Sequence, residues 1–280
     1  DHFVRDTFGK TLLKDIRYTD VKRFYCELLD EKGIKPITLD NINTLIHPAL
    51  GMAVRDGVIR SNPSNGVMGE IKKSNLWDKD TGVRHALTID QGKAFLRYVQ
   101  RSETYNHWFP MFIVFFGTGM RVGEVCSLRW DDINFEKKEI YVNHTVVPLR
   151  KPEGYQLHIS TPKTGKSKRM IPMMDEVYEA LSEEYERQRM TGFSSYKLDG
   201  MTGFVFINRY GKIFQQGLIN KAIFRITEEY NTQEILNAAK EKRRPLLIPH
   251  FSFYYILHTS CTRMCANATI IKAILDIMGH

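Results

Sequence analysis

The sequence predicts a mainly α protein with a small antiparallel β-sheet, an α+β chain in two domains. Three observations carry this. Apolar residues recur at helical spacing through residues 38–54 and again beyond 85. Runs with strand character, EIYVNHTVV (139–147), YQLHIST (155–161) and KRMIPM (168–173), are gathered in one stretch. Between the helical regions lies KKSNLWDKDTG (72–82), which has the polarity of a linker.

In chain order, YTDVKRFYCELLDEKG (18–33) reads as a helix stopped by Gly33. TLDNINTLIHPALGMAVRDG (38–57) has apolar residues at 39, 42, 45, 46, 49, 50, 53 and 54, with Thr38 as N-cap and, because Pro48 lies within the pattern, a kink near His47. RSNPSNG (60–66) is turn chemistry. After the linker, Thr88 and Gln91 form a capping-box pattern ahead of a periodic stretch. A further helix is expected over 105–116, then a glycine turn, then a helix from Arg121. The strands follow, with PKTGKS (162–167) as the loop before the last of them. Beyond 175 the pattern is helical, apart from a short FVFIN (204–208) element.

Composition narrows the class. Hydrophobic content of 42% with 16 Phe supports a sizeable core and excludes a disordered chain. Lys+Arg 40 against Asp+Glu 32 leaves a net charge of +8, which favours a polyanionic partner without proving one. The charge is uneven: 150–170 and 240–245 are basic, and 176–186 is acidic. Cys26, Cys126, Cys261 and Cys265 form no CxxC pair, so no metal site is expected. With neither a signal peptide nor a membrane-spanning run in view, the cytoplasm is the default location. The chain starts without Met and stops at IMGH, and it reads as a fragment.

One residue poses the functional question. Arg121 sits among hydrophobic neighbours in GTGMRVGEVCSLRW (117–130), and a buried arginine is costly unless an anion pairs with it. Glu124, three residues on, is one candidate partner. A phosphate brought by a ligand is the other.

Taken together, the motifs resemble a known family. GTGMRVGEVCSLRWDDIN (117–134) is similar to the first arginine box of the tyrosine recombinases, the lambda-integrase and Xer class. TPKTGKSKRMIPM (161–173) resembles that family's β-hairpin lysine segment. PHFSFYYILHTSCTRMC (249–265) and IIKAILDIMGH (270–280) resemble the HxxR box and the Met-Gly-His element. The likeness covers 85–280 as a catalytic domain. Residues 1–75 are similar to the helical core-binding domain, with 76–84 as the linker, and the nearest likeness is to integrases of conjugative transposons.

The resemblance implies a chemistry. A tyrosine hydroxyl attacks a DNA phosphodiester, leaving a 3′-phosphotyrosyl link that conserves the bond for rejoining, so no cofactor is needed. Protein cations hold the charge building on the phosphate oxygens, for which the arginine fork is suited. On this pattern Arg121 is the first phosphate clamp and Glu124 orients its surroundings. Lys163, which fits better than Lys166, protonates the departing oxygen, and His280 is the histidine of the Gly-His element. Lys166, Lys168 and Arg169, with Lys72, Lys73, Arg243 and Arg244, are expected at the DNA backbone.

The chain also departs from the pattern. Tyr254 stands where the family has histidine and Leu257 where it has the second arginine, whereas His258 matches a packing position. The nucleophilic tyrosine is expected just beyond His280. Together these predict a DNA-binding, cleavage-deficient chain. The alternative is a non-enzymatic DNA-binding relative; type IB topoisomerases are a weaker match. The expected partner is duplex DNA, with a tetramer on DNA for the family and a monomer without it.

Overall fold

Helix α1 (Tyr18–Asp30) buries Val21, Phe24, Tyr25, Leu28 and Leu29, one stripe at helical spacing. In this computed structural model, which describes residues 3–5, 8–74, 77, 87–161 and 168–256, the stripe packs against Leu39, Ile42, Ile46 and Leu50 of helix α2 (Pro36–Arg55) and against Val67 and Ile71 of α3 (Val67–Ile71). Helix α2 begins earlier than expected. Its N-cap is Lys35 rather than Thr38, because Pro36 supplies the fixed φ of a first turn and lacks only an N–H that would have been unsatisfied there. Pro48 lies inside the helix. These helices form the core of the first of two units, 1–83 and 84–280.

The second unit opens on α4 (Ile89–Arg101), whose capping box is formed as expected. The Gln91 N–H donates to Thr88 Oγ1 at 3.2 Å, and the Thr88 N–H to Gln91 Oε1 at 3.0 Å. A single 3-10 turn, Asn106–Trp108, leads into α5 (Phe109–Thr118), which is buried from Val114 to its end. Short α6 (Val122–Cys126) follows.

Strands β1 (Ile133–Asn134), β2 (Glu139–Val142) and β5 (Arg169–Pro172) form an antiparallel sheet in the order β1-β2-β5. Ile140 pairs with Ile133 on one side and Ile171 on the other, which puts an isoleucine row on the buried face. Strands β3 (Thr145–Lys151) and β4 (Gly154–Ser160) form a separate hairpin. The expected single strand EIYVNHTVV is thus split at Asn143 and His144. FVFIN makes isolated bridges, such as Arg129 to Phe204, rather than a strand.

Helices α7 (Asp175–Thr191) and α8 (Gln216–Glu241) follow. Their Val177, Leu181, Ile219, Ile223 and Ile226 close a core around Phe95, Phe112 and Phe115. The fold is mainly α with small antiparallel sheets. Among the described residues no helix is long and apolar enough to cross a membrane.

Candidate functional site

The GTGMR turn is shaped from within. Thr118 Oγ1 donates to the Val114 carbonyl at 2.6 Å and accepts the Met120 N–H at 3.2 Å, which closes the last turn of α5. Gly119 caps the helix at φ 63°, a conformation that favours glycine. Arg121 then takes an extended conformation (φ −70°, ψ 152°) as the N-cap of α6.

Glu124 is the centre of the arrangement. Its carboxylate accepts the Arg121 backbone N–H at 2.8 Å and Arg121 Nη1 at 3.2 Å. It also accepts Arg169 Nη1 at 2.9 Å and Nη2 at 2.7 Å, a two-bond fork from a strand 45 residues away. Burial alone would raise its pKa, but the Arg169 bonds and charge, followed by the Arg121 N–H and charge, hold the carboxyl below its ordinary value. The two arginines differ in access. The Arg169 side chain is 5% exposed and that of Arg121 is 43% exposed.

Neighbouring elements lock this geometry. A Cβ on Gly123 would lie 2.3 Å from Thr145 Oγ1 and 2.6 Å from the Val146 carbonyl oxygen, so only glycine lets β3 cross α6 this closely. Buried His144 donates from Nε2 to the Ser127 carbonyl at 2.6 Å, which ties the β2–β3 junction to the end of α6. Asp132 lies 3.8 Å from His144 Nε2 and accepts Asn143 Nδ2 at 3.1 Å. Burial pushes the Asp132 carboxyl up, against the opposing pull of His144.

Arg121 and Glu124 therefore meet as the sequence suggested, with the Arg121 side chain half-exposed. Two basic residues need correction. Arg169, expected at a DNA backbone, is buried in β5 because strand alternation turns it inward with Ile171 while Met170 and Pro172 face out. Arg243 is engaged by Glu234 through two bonds, one at 3.0 Å, and by Glu241 at 2.5 Å, so it is no free surface cation. Lys72 pairs with Asp40 at 2.9 Å and sits over the Trp77 ring. Lys73, Lys168, Arg244 and Tyr254 are exposed. Lys163, Lys166, Leu257, His258 and His280 lie outside the described residues. Sequence reasoning missed His144, Asp132 and the role of Arg169. For Arg169 the signal was available in the alternation of RMIP.

The phage integrase family model matches residues 85–280. The chain belongs to the phage integrase family. Within that family it is 26% identical, over its whole length, to the transposase from transposon Tn916 of Enterococcus faecalis. It is 25% identical, over 95% of its length, to a tyrosine recombinase XerC-like protein of Caldanaerobacter subterraneus. It spans 64% of the length of each of these curated relatives. Among solved structures, the Tn1549 transposon integrase in complex with a circular intermediate DNA superposes with a TM-score of 0.83 at 26% identity, covering all of this chain and 82% of that one. A lambda integrase dimer bound to a core site shares the fold, with a TM-score of 0.60.

Proposed function

We propose that this chain is the core-binding and catalytic part of a tyrosine-recombinase-type integrase that integrates or recombines the DNA of a mobile element. The observation that carries the reading is Arg121, a half-exposed guanidinium held on a buried carboxylate at the position of the family's first arginine. Such a group offers donors and charge to a phosphate oxygen without leaving its own counter-ion unsatisfied. The DNA-bound Tn1549 integrase, whose fold this chain matches throughout, supports duplex DNA as the ligand. Residues 1–75 act as the core-binding domain, and Lys163 and His280 supply the further donors of the family pattern. The family's tetramer forms on DNA, and the chain without DNA is a monomer in the cytoplasm.

A second reading is favoured by Leu257. An apolar side chain in place of the second arginine removes charge-assisted donors from the phosphate, and loss of one such donor costs about 10²–10³ in rate. On that reading the chain occupies DNA and cuts it poorly. A nicked suicide duplex separates the two. A fusion of this chain to the tail of an active relative should give little covalent protein–DNA adduct, and the same fusion with Tyr254→His and Leu257→Arg should give a strong band. An equal band without the substitutions would remove Leu257 as the cause. Failure to bind duplex DNA at all would overturn both readings.

A further inference from the structure

A single carboxylate cannot serve two guanidiniums equally, and here the division is visible. Arg169 makes two short bonds to Glu124, one to each oxygen, whereas the Arg121 side chain makes one longer bond at 3.2 Å. Two positive groups and one negative group leave the trio with one net positive charge. The buried arginine satisfies most of the carboxylate, so the surplus charge resides on the half-exposed arginine. Among the described residues the Arg121 side chain has no hydrogen-bond partner other than Glu124.

Remove Arg169 in thought. Glu124 would still be buried beside α6, with Arg121 as its remaining cation. The two would close into a bidentate pair, the Arg121 fork would turn inward, and its field towards solvent would fall to that of a neutral dipole. Arg169 cannot replace Arg121 at a ligand, because the register Val142 to Arg169 and Ile140 to Ile171 fixes its side chain on the inner face of β5. Among the described residues its link to Arg121 is Glu124.

We propose that Arg169 is a positioning residue for the phosphate contact. By holding Glu124 from the buried side, it leaves the Arg121 guanidinium largely uncompensated and turned outward. This rests on the reading of the chain as a DNA-binding recombinase. It also assigns a basic residue of the lysine hairpin segment a task that involves no contact with DNA.

The test uses the whole chain and a duplex selected by it from a random pool, with each phosphate in turn replaced by a neutral methylphosphonate. The phosphate served by Arg121 is the one whose neutralisation weakens the wild type, by about tenfold for a charge-assisted contact, but not Arg121→Ala. Arg169→Met should lose sensitivity at that one phosphate and keep it at all others. Glu124→Gln combined with Arg169→Met removes the competing charge and should regain the sensitivity. Arg169→Lys keeps the charge but not the fork, and should show a loss of about threefold at that phosphate with little change in melting. This variant decides the matter if Arg169→Met does not fold. A folded Arg169→Met or Arg169→Lys with full sensitivity at that phosphate would overturn the proposal and leave Arg169 a purely structural partner of Glu124. So would a double variant that fails to regain it. A wild type that binds no duplex would sink the functional reading itself, which is a separate outcome.

Discussion

Glu124 and Glu234, both buried carboxylates of the second unit, hold arginines to different ends. Glu124 takes Arg169 from inside and Arg121 from outside. Glu234, on α8, takes Arg243 and the Leu246 backbone N–H at 2.8 Å. The second arrangement is a clasp. The chain reverses after α8 through Lys242 at φ 53°, and Glu234 fastens the returning segment with every contact local. The first leaves a spare guanidinium facing solvent. The comparison teaches that a basic run in the sequence does not mark a site. A site is marked by a satisfied carboxylate that still presents a second, accessible cation.

Removing each carboxylate should separate the two most sharply. Glu124→Ala removes the carboxylate that buried Arg169 is forked to, and breaking a buried pair from one side costs about 3–5 kcal/mol. Chemical denaturation should report a loss of that order. Glu234→Ala should cost less, because Arg243 is 41% exposed and can be rehydrated. Its effect should be confined to 242–247 and be visible as faster hydrogen exchange at the Leu246 amide. Equal losses would erase the distinction.

Gly123→Ala is the next largest. A methyl group 2.3 Å from Thr145 Oγ1 forces α6 and β3 apart, at about 1–3 kcal/mol for overpacking. A variant as stable as the wild type would show that the crossing is looser than described.

Acid should distinguish the Glu124 carboxylate. Its pKa is held below the ordinary value of 4.5. Its contribution to stability is therefore complete above that value and is lost as pH falls through the lower folded value. The difference in melting temperature between wild type and Glu124→Gln should be constant near neutrality and shrink below about pH 4.5. A difference that grows on acidification would contradict the sign.

Much of this was legible in the sequence, for physical reasons that vary with the element. The Thr88–Gln91 box could be read because both partners lie within one turn, and the same holds for Arg121 and Glu124. The start of α2 was misplaced because Thr38 is a good cap in isolation, whereas Pro36 already sets the first turn. Arg169 was misread because charge was weighed above strand period. Its partner lies 45 residues away, a pairing that only the fold brings about. The contacts of His144 with Ser127 and Asp132 carry no local signal, since they depend on β2 folding back towards α6.

The most direct measurement of the central claim is the salt dependence of duplex binding by wild type and by Arg121→Ala, with melting measured alongside. An arginine that serves a DNA phosphate contributes about 0.9 to the magnitude of the log K versus log [salt] slope. The account predicts a slope smaller by that amount in Arg121→Ala, at nearly unchanged melting temperature. An unchanged slope with a markedly lower melting temperature would contradict it and make Arg121 a structural partner of Glu124.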